Sequence, residues 1–356
     1  MLTPPDSTRN RESEAARLHE YLRSVGWSLA ECAMIAPLTL RIRELARLKN
    51  AVILGHSYQT PDVLFGVADH RGDSLGLSKI ARDTDADVIV FCGVKFMGET
   101  AKILSPSKTV LLPDPDAGCS LSESITGLDV RRLRAIHPDA AFVCYVNTSA
   151  QVKAECDVVC TSANALAIVE AVPQRKVVFL PDRFMAANLR PLTSKEIIGY
   201  DGRCIVHETF SSDSLTAWRR AVPGVRILVH TESPDDVVAL ADLAGGTGDM
   251  VDYVRKSSAS DFMLVTECGL TDRLRIEFPD KHFIGTCVMC PHMKRVDLRK
   301  ILQVLEAPRP EQVVTIPMDV SERALRAIDR MFELTAKGAD GSRPHSNTGE
   351  STRLCD

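Results

Sequence analysis

The amino-acid sequence predicts an α/β fold made of parallel αβα layers, and three observations carry the prediction. Short apolar runs rich in Val, Ile, Leu and Phe alternate with amphipathic stretches of helical period. Each run ends in a cluster of polar residues, the position where parallel sheets gather ligands. The pattern starts three times, at similar intervals along a chain of 356 residues.

Residues 1–35 are read as an N-terminal helical arm. The first unit, 36–130, opens with the apolar run 51–55, which leads into His56-Ser57-Tyr58-Gln59. A helix follows from about Ser74, then a strand over 87–92 and another over 109–112 that ends in Pro-Asp-Pro-Asp-Ala-Gly-Cys-Ser. The second unit, 131–220, starts at 141–144 and runs into Tyr145-Val146-Asn147. Its strand 158–160 meets Thr161-Ser162-Ala163-Asn164, and its strand 177–180 meets Pro181-Asp182. The third unit, 221–305, starts at 226–229 before His230-Thr231-Glu232. Gly245-Gly246-Thr247-Gly248 and the strand 262–265 follow. A helical segment is expected over 306–335. The stretch 336–356, which holds Cys355, is too polar to bury apolar surface and is expected to be disordered. Two arrangements satisfy this pattern: three units around one centre, or one long doubly wound sheet with scattered polar loops.

Composition narrows the function. Hydrophobic residues make up 45% and charged residues 25%, which are ordinary globular values; aromatics are 5%, so the core is mostly aliphatic. A net charge of −4 without a basic patch argues against nucleic acid as a partner. The apolar runs are too short to span a membrane. The N-terminal stretch has no apolar core of the signal-peptide kind, so the expected compartment is the cytosol.

Eleven cysteines at irregular spacing do not read as a disulfide framework. Cys92, Cys144, Cys156 and Cys160 lie in or beside apolar strands and read as small buried hydrophobes. Cys119, Cys204 and Cys290 fall in loops of different units. Small neighbours at Cys119 and Cys204, such as Gly118 and Gly202, leave room for a bulky inorganic group. Such soft thiolates suit zinc, copper(I) or an iron–sulfur cluster. Cys287 and Cys290 also form a Cys-x-x-Cys pair, which is compatible with half a zinc site or a redox pair.

The segments GHSYQ, GDSL, VFCGVKFMGETAKIL, LLPDPDAGCSL, CYVNTSAQVKA, CTSANA, FLPD, DGRCIVHE, VHTE, GGTGDM, TECG and CPHMK occur in this order over about residues 36–305. Together they resemble the quinolinate synthase family. The resemblance implies three similar αβα domains around a pseudo-threefold axis, with the active site at the centre. It implies a [4Fe–4S] cluster held by Cys119, Cys204 and Cys290, its fourth iron free of protein ligands. It also implies a transferase- or lyase-type condensation of iminoaspartate with dihydroxyacetone phosphate, giving quinolinate, phosphate and water for NAD synthesis. An aspartate-oxidising enzyme is the expected source of the imine.

Within that resemblance Tyr58 and Glu232 are the acid/base pair, and His56 and His230 bind substrate oxygens. His207 stands beside a cluster cysteine. Ser74, Tyr145, Asn147, Ser162 and Thr247 donate to carboxylate and phosphate groups, with Ser162 and Thr247 expected just before helices. Taken alone, Ser74, Ser162 and Asp73 also read as helix caps, Tyr145 as strand packing, and the two strand-end histidines as hydrogen-bonded core groups. The chain departs from the family pattern at Lys95, where His is usual, at Thr231, where Pro is usual, and at Gly246, where Ser is usual. These departures raise a second reading, a cluster-based sensor without turnover. A Cys287–Cys290 disulfide is expected when the cluster is absent.

Overall fold

The computed structural model describes residues 7–285 and 287–340. Among them the strands form three separate four-stranded sheets, and every pairing is parallel. The first sheet comprises β1 (Ala51–His56), β2 (His70–Gly72), β3 (Val88–Cys92) and β4 (Thr109–Leu111), in the spatial order β2-β1-β3-β4. The second repeats that order with β5 (Ala141–Tyr145), β6 (Val158–Cys160), β7 (Lys176–Leu180) and β8 (Glu196–Gly199). The third repeats it with β9 (Arg226–His230), β10 (Leu243–Gly245), β11 (Asp261–Val265) and β12 (His282–Ile284). The protein is therefore α/β with three αβα units of one topology, and the single long sheet is excluded.

Each unit's first strand lies between its second and third. The chain thus reverses its direction of growth beside that strand, and a crevice opens at its carboxyl end. The first strands end on His56, Tyr145 and His230, one residue later than the apolar runs suggest. These polar ends stay in the ladder: His56 pairs with Gly72, Tyr145 with Cys160 and His230 with Gly245. The strands β2, β8, β10 and β12, absent from the apolar pattern, are short edge strands. The residues of β2, for example, are mostly exposed.

Covering helices complete the layers. Helices Ser7–Leu22 and Leu29–Leu48 pack on each other, and Ser7–Leu22 also packs on helix Pro61–Gly66. Leu18, Leu22, Cys32, Ala36 and Leu64 fill that contact. A Ser28–Glu31 capping box starts helix Leu29–Leu48, which runs unbroken through residue 35, the expected edge of the arm. With helix Leu298–Glu306 it closes one face of the first sheet, where Ile42, Leu45, Ile53, Val90, Ile301 and Val304 meet. Helix Met318–Asp340 packs on β6 and on helices Ala150–Lys153 and Ala165–Ala171 of the second unit. It extends past residue 336. The remaining tail positions, 341–356 with Cys355, lie outside the described residues.

Among the described residues no helix is long and apolar enough to cross a membrane. Phe91, Phe96, Phe142, Phe179 and Phe262 are fully buried, each contributing about 1.5–3 kcal/mol to the core.

Candidate active site

The three units send their strand ends to one cavity, which spans about 750 Å³ including its open mouth. Every first strand delivers two lining residues, its last residue and the one two positions on. These pairs are His56 and Tyr58, Tyr145 and Asn147, and His230 and Glu232. Ser74, Ser162, His207, Thr247, Cys119, Cys204 and Cys290 line the same cavity. The residues expected to act in catalysis, substrate binding and cluster ligation are thus brought together at one cavity.

A hydrogen-bonded chain crosses the floor. Tyr58 Oη lies 2.6 Å from Thr266 Oγ1, and Thr266 Oγ1 lies 2.9 Å from His207 Nε2. His207 Nδ1 is 2.8 Å from Glu232 Oε2. Tyr145 donates to Glu232 Oε1 at 2.6 Å, and Asn147 Nδ2 donates to the same oxygen at 3.4 Å. The His230 ring stacks on His207 at 4.4 Å, and His56 meets the Tyr58 ring edge-on at 4.8 Å.

The two strand-end histidines are held alike. His56 Nδ1 accepts from the backbone N–H of Tyr58 at 3.2 Å, and His230 Nδ1 accepts from that of Glu232 at 3.3 Å. Nδ1 is then the lone-pair nitrogen, and Nε2–H is the free donor of each ring. Burial holds both imidazoles down to about 3, so they are neutral. For Glu232 burial opposes ionisation, but the hydrogen bonds with His207 and Tyr145 outweigh it and hold the carboxyl below the usual range. Burial, reinforced by the Glu232 charge, keeps the Tyr58 and Tyr145 phenols protonated well above their ordinary value. The cavity thus holds the ionised Glu232 carboxylate among phenol, imidazole and amide donors, an arrangement suited to moving protons on a bound substrate.

The model of the family described as "Quinolinate synthetase A protein" matches residues 40–333. The chain belongs to the quinolinate synthase family. It is 50% identical over 293 residues to the "Quinolinate synthase" of Xylella fastidiosa (strain Temecula1), covering 82% of this chain and 86% of that one. It is 50% identical over 291 residues to the "Quinolinate synthase 1" of Mesorhizobium japonicum, covering 82% and 89%. Over 329 residues it is 45% identical to the "Quinolinate synthase" of Agrobacterium fabrum, covering 92% and 94%.

The loop cysteines repeat the topology of this family member. Cys119 follows β4, Cys204 follows β8 and Cys290 follows β12, so each comes after the fourth strand of its sheet. In each case the sulfur accepts backbone N–H bonds from the residues two and three ahead: Leu121 and Ser122, Val206 and His207, His292 and Met293. Such N–H···S bonds stabilise ligating thiolates. Burial pushes the Cys119 thiol up to about 12, with the charges of Glu232 and Cys290 adding to it. Burial, Glu232 and Cys119 likewise raise Cys204. Among the described residues, Cys204, His207 and Glu232 are the donor set gathered within 4.8 Å. Cys119 and Cys290 lie outside that compact set but line the same cavity, which suits a polynuclear group better than a single ion. The donor set therefore fits a three-cysteine cluster.

The glycines beside the cysteines have a different role from the expected one. A Cβ at Gly118 would come 1.8 Å from Glu123 Oε1, and one at Gly202 would come 2.5 Å from Ser124 Oγ of the first unit. They admit neighbouring protein, because the loops of two units close on each other here. Ser120 Oγ seals that seam, donating to the Arg203 carbonyl at 3.0 Å and accepting from Ile205 N at 3.2 Å.

The anion-binding helix ends also differ in detail. Asp73 is the cap of helix Ser74–Asp83, accepting from Gly76 N at 2.7 Å, and Ser74 is its first residue. Thr247 opens helix Thr247–Lys256 behind Gly246. Ser162 lies further from a helix than expected, since Asn164 occupies the cap of helix Ala165–Ala171. Gly246 packs on it: a Cβ there would sit 2.4 Å from Ser162 Oγ. Of the three departures from the family pattern, Lys95 is exposed in a neighbouring cleft, and neither Thr231 nor Gly246 lines the cavity.

Cys287 is bonded to Cys268 rather than to Cys290. A parallel bridge between Glu267 and Val288, with Cys268 N donating to the Val288 carbonyl at 3.1 Å, brings the two cysteines side by side. Cys92, Cys144 and Cys160 are buried in strands as expected, while Cys156 is half-buried before β6.

Sequence reasoning assigned no role to Thr266, Glu267, Lys294 or Lys153. Glu267 is fully buried; it accepts from Cys290 N at 3.1 Å and Gly269 N at 2.7 Å and pairs with Lys294 Nζ at 2.8 Å. Lys294 also donates to the Tyr58 carbonyl. The signal was the polar pair Thr266-Glu267 directly after an apolar strand, the same signal that marked His56 and His230.

Lys153 is fully buried and donates to the carbonyls of Val146, at 2.8 Å, and Thr148, which hold the loop carrying Asn147. Burial lowers its ammonium from 10.5 to about 8. The unfolded chain therefore holds this proton more tightly between those values, and the Lys153 contribution to stability rises with pH across that window. Denaturant titrations of metal-free protein at about pH 8 and about pH 10 should show the wild type gaining about 1–3 kcal/mol relative to Lys153→Met. Parallel pH dependences would refute the buried ammonium.

Proposed function

We propose that this chain is a quinolinate synthase that condenses iminoaspartate with dihydroxyacetone phosphate to quinolinate, phosphate and two waters in NAD biosynthesis. The observation that carries the reading is the meeting of the three loop cysteines and the Tyr58–Glu232 network at one cavity, in a chain of this family. When bound to Cys119, Cys204 and Cys290, a [4Fe–4S] cluster supplies a Lewis-acidic iron that polarises a substrate oxygen or nitrogen.

The chain's own residues do the rest. The Nε2–H donors of His56 and His230 hold substrate oxygens, and hydroxyls at Ser74, Ser162 and Thr247 receive carboxylate and phosphate groups. Thr247 adds the backbone donors of its helix start. Glu232, ionised and buried, accepts the proton released when a carbon next to a carbonyl or imine enolises. Tyr58, kept protonated, returns a proton to a departing oxygen. Tyr145 and Asn147 hold the Glu232 carboxylate in place. Burial of these groups excludes bulk water and strengthens each contact. An aspartate-oxidising enzyme is the matching source of the unstable imine.

Anaerobically purified protein is expected to be brown, with broad absorbance near about 400 nm and about four irons per chain. It should release phosphate from dihydroxyacetone phosphate only when iminoaspartate is present, with quinolinate identified by mass spectrometry. A colourless, iron-free preparation with full turnover would remove the cluster from the mechanism. A cluster-loaded preparation that forms no quinolinate would leave the sensor reading instead.

A further inference from the structure

We infer that Asn188 is a positioning residue for the condensation, its side-chain amide clamping the turn that carries Glu232. The inference rests on the function proposed above. Asn188 belongs to helix Arg183–Leu189 of the second unit, and the turn follows β9 of the third. Asn188 Nδ2 donates to the Thr231 carbonyl at 3.0 Å and to the Ser233 carbonyl at 2.9 Å. The two hydrogens of one amide thus hold the backbone on both sides of Glu232.

The three units differ at this place. In the first, the residue after the first strand donates back to the second strand, Ser57 N to the Gly72 carbonyl at 2.9 Å. In the second, Val146 N does the same to the Cys160 carbonyl at 2.8 Å. The corresponding residue of the third unit is Thr231. Among the described residues its N–H makes no such bond to Gly245, although His230 and Gly245 are paired. The turn closes only on itself: Ser233 N donates to the His230 carbonyl at 3.0 Å, and Glu232 N donates to His230 Nδ1 at 3.3 Å. The buried hydroxyl oxygens of Thr231 and Ser233 have no hydrogen-bond partner among the described residues. The backbone of this turn is therefore tied to the neighbouring unit through the Asn188 amide.

Thr231 makes the clamp matter more in this chain. It occupies the second position of the four-residue turn His230–Ser233, where proline is favoured because its ring fixes φ. The family pattern has proline here, and this chain has threonine. Threonine leaves that backbone angle free, so fixing the turn falls to Asn188. Glu232 has to meet a substrate proton at hydrogen-bond distance, and a displacement of about 1 Å can cost about 10²-fold in rate.

The test compares Asn188→Leu with the double variant Asn188→Leu/Thr231→Pro in the cluster-loaded enzyme. Leucine keeps the size of the side chain and removes both donors. In Asn188→Leu, kcat should fall about 10- to 100-fold. KM for dihydroxyacetone phosphate should stay within about threefold, and iron content should be unchanged. Thr231→Pro alone breaks no bond to Gly245 and should keep kcat within about twofold of wild type. In the double variant the same substitution should raise kcat at least about fivefold above Asn188→Leu. Wild-type kcat in Asn188→Leu, loss of iron in Asn188→Leu, an inactive Thr231→Pro, or a double variant no better than Asn188→Leu would each overturn the inference.

A second measurement does not depend on turnover. The amides of Glu232 and Ser233 should exchange hydrogen about 10-fold or more faster in Asn188→Leu than in wild type, while that of Leu228 within β9 stays unchanged. The double variant should slow both amides again. Unchanged exchange at the turn, or faster exchange throughout β9, would overturn the inference. If wild-type protein makes no quinolinate, the proposed function fails, and the exchange rates still decide the role of Asn188.

Discussion

Alanine in place of Cys119, Cys204 or Cys290 should remove bound iron, the absorbance near about 400 nm and quinolinate formation together. Each of the three thiols follows the fourth strand of its sheet and accepts two backbone N–H bonds, so none can substitute for another. The expected loss is all-or-none, because two thiolates cannot hold the cluster with one corner open. All three residues are only partly buried, at the cavity rather than inside a core. The metal-free variants should therefore unfold within a few degrees of metal-free wild type, about the shift expected for a change under 1 kcal/mol. Cys160→Ala, within β6, and Cys287→Ser, which breaks the bond to Cys268, should retain iron. Iron lost from Cys287→Ser but kept in Cys290→Ala would reverse the ligand assignment.

Glu232→Gln lowers kcat by about 10²- to 10⁴-fold while iron content stays at the wild-type level. The amide keeps the volume but cannot take up a proton. It also turns one acceptor into a donor among Tyr145, Asn147 and His207, all of which face that carboxylate. Tyr58→Phe should produce a loss of similar size. Because a continuous hydrogen-bonded chain joins the two groups, the double variant should be little worse than either single one. Additive losses in kcat, measured by phosphate release, would mean that the two act independently.

Much of this site was legible in the sequence, for a physical reason. A buried strand that ends in His, Tyr or Asn breaks its apolar pattern abruptly, and the break marks where the chain meets a ligand. His56, Tyr145, His230 and their partners two residues on are all visible in this way. The short edge strands were not, because three- or four-residue ladders with partly exposed side chains leave no periodic trace. The pairing of Cys287 was also hidden. Spacing favours its near neighbour Cys290, whereas the Glu267–Val288 bridge brings in Cys268 from across the unit. Thr266 lay in a quoted motif, yet its role depends on touching Tyr58 and His207, contacts that no local pattern encodes. Gly118 and Gly202 were read as room for an inorganic group because a sequence cannot say which neighbour fills the space a glycine leaves.

The recurrence of one strand order in three sheets bears on how an asymmetric reaction is possible here. A unit copied three times offers the centre the same groups three times over, and such a pocket would recognise a symmetric guest. The proposed condensation, which joins two unlike substrates, needs differences. In this chain the differences are concentrated at the strand-end pairs: imidazole and phenol in the first unit, phenol and amide in the second, imidazole and carboxylate in the third. The scaffold supplies sameness, and six side chains make the cavity asymmetric.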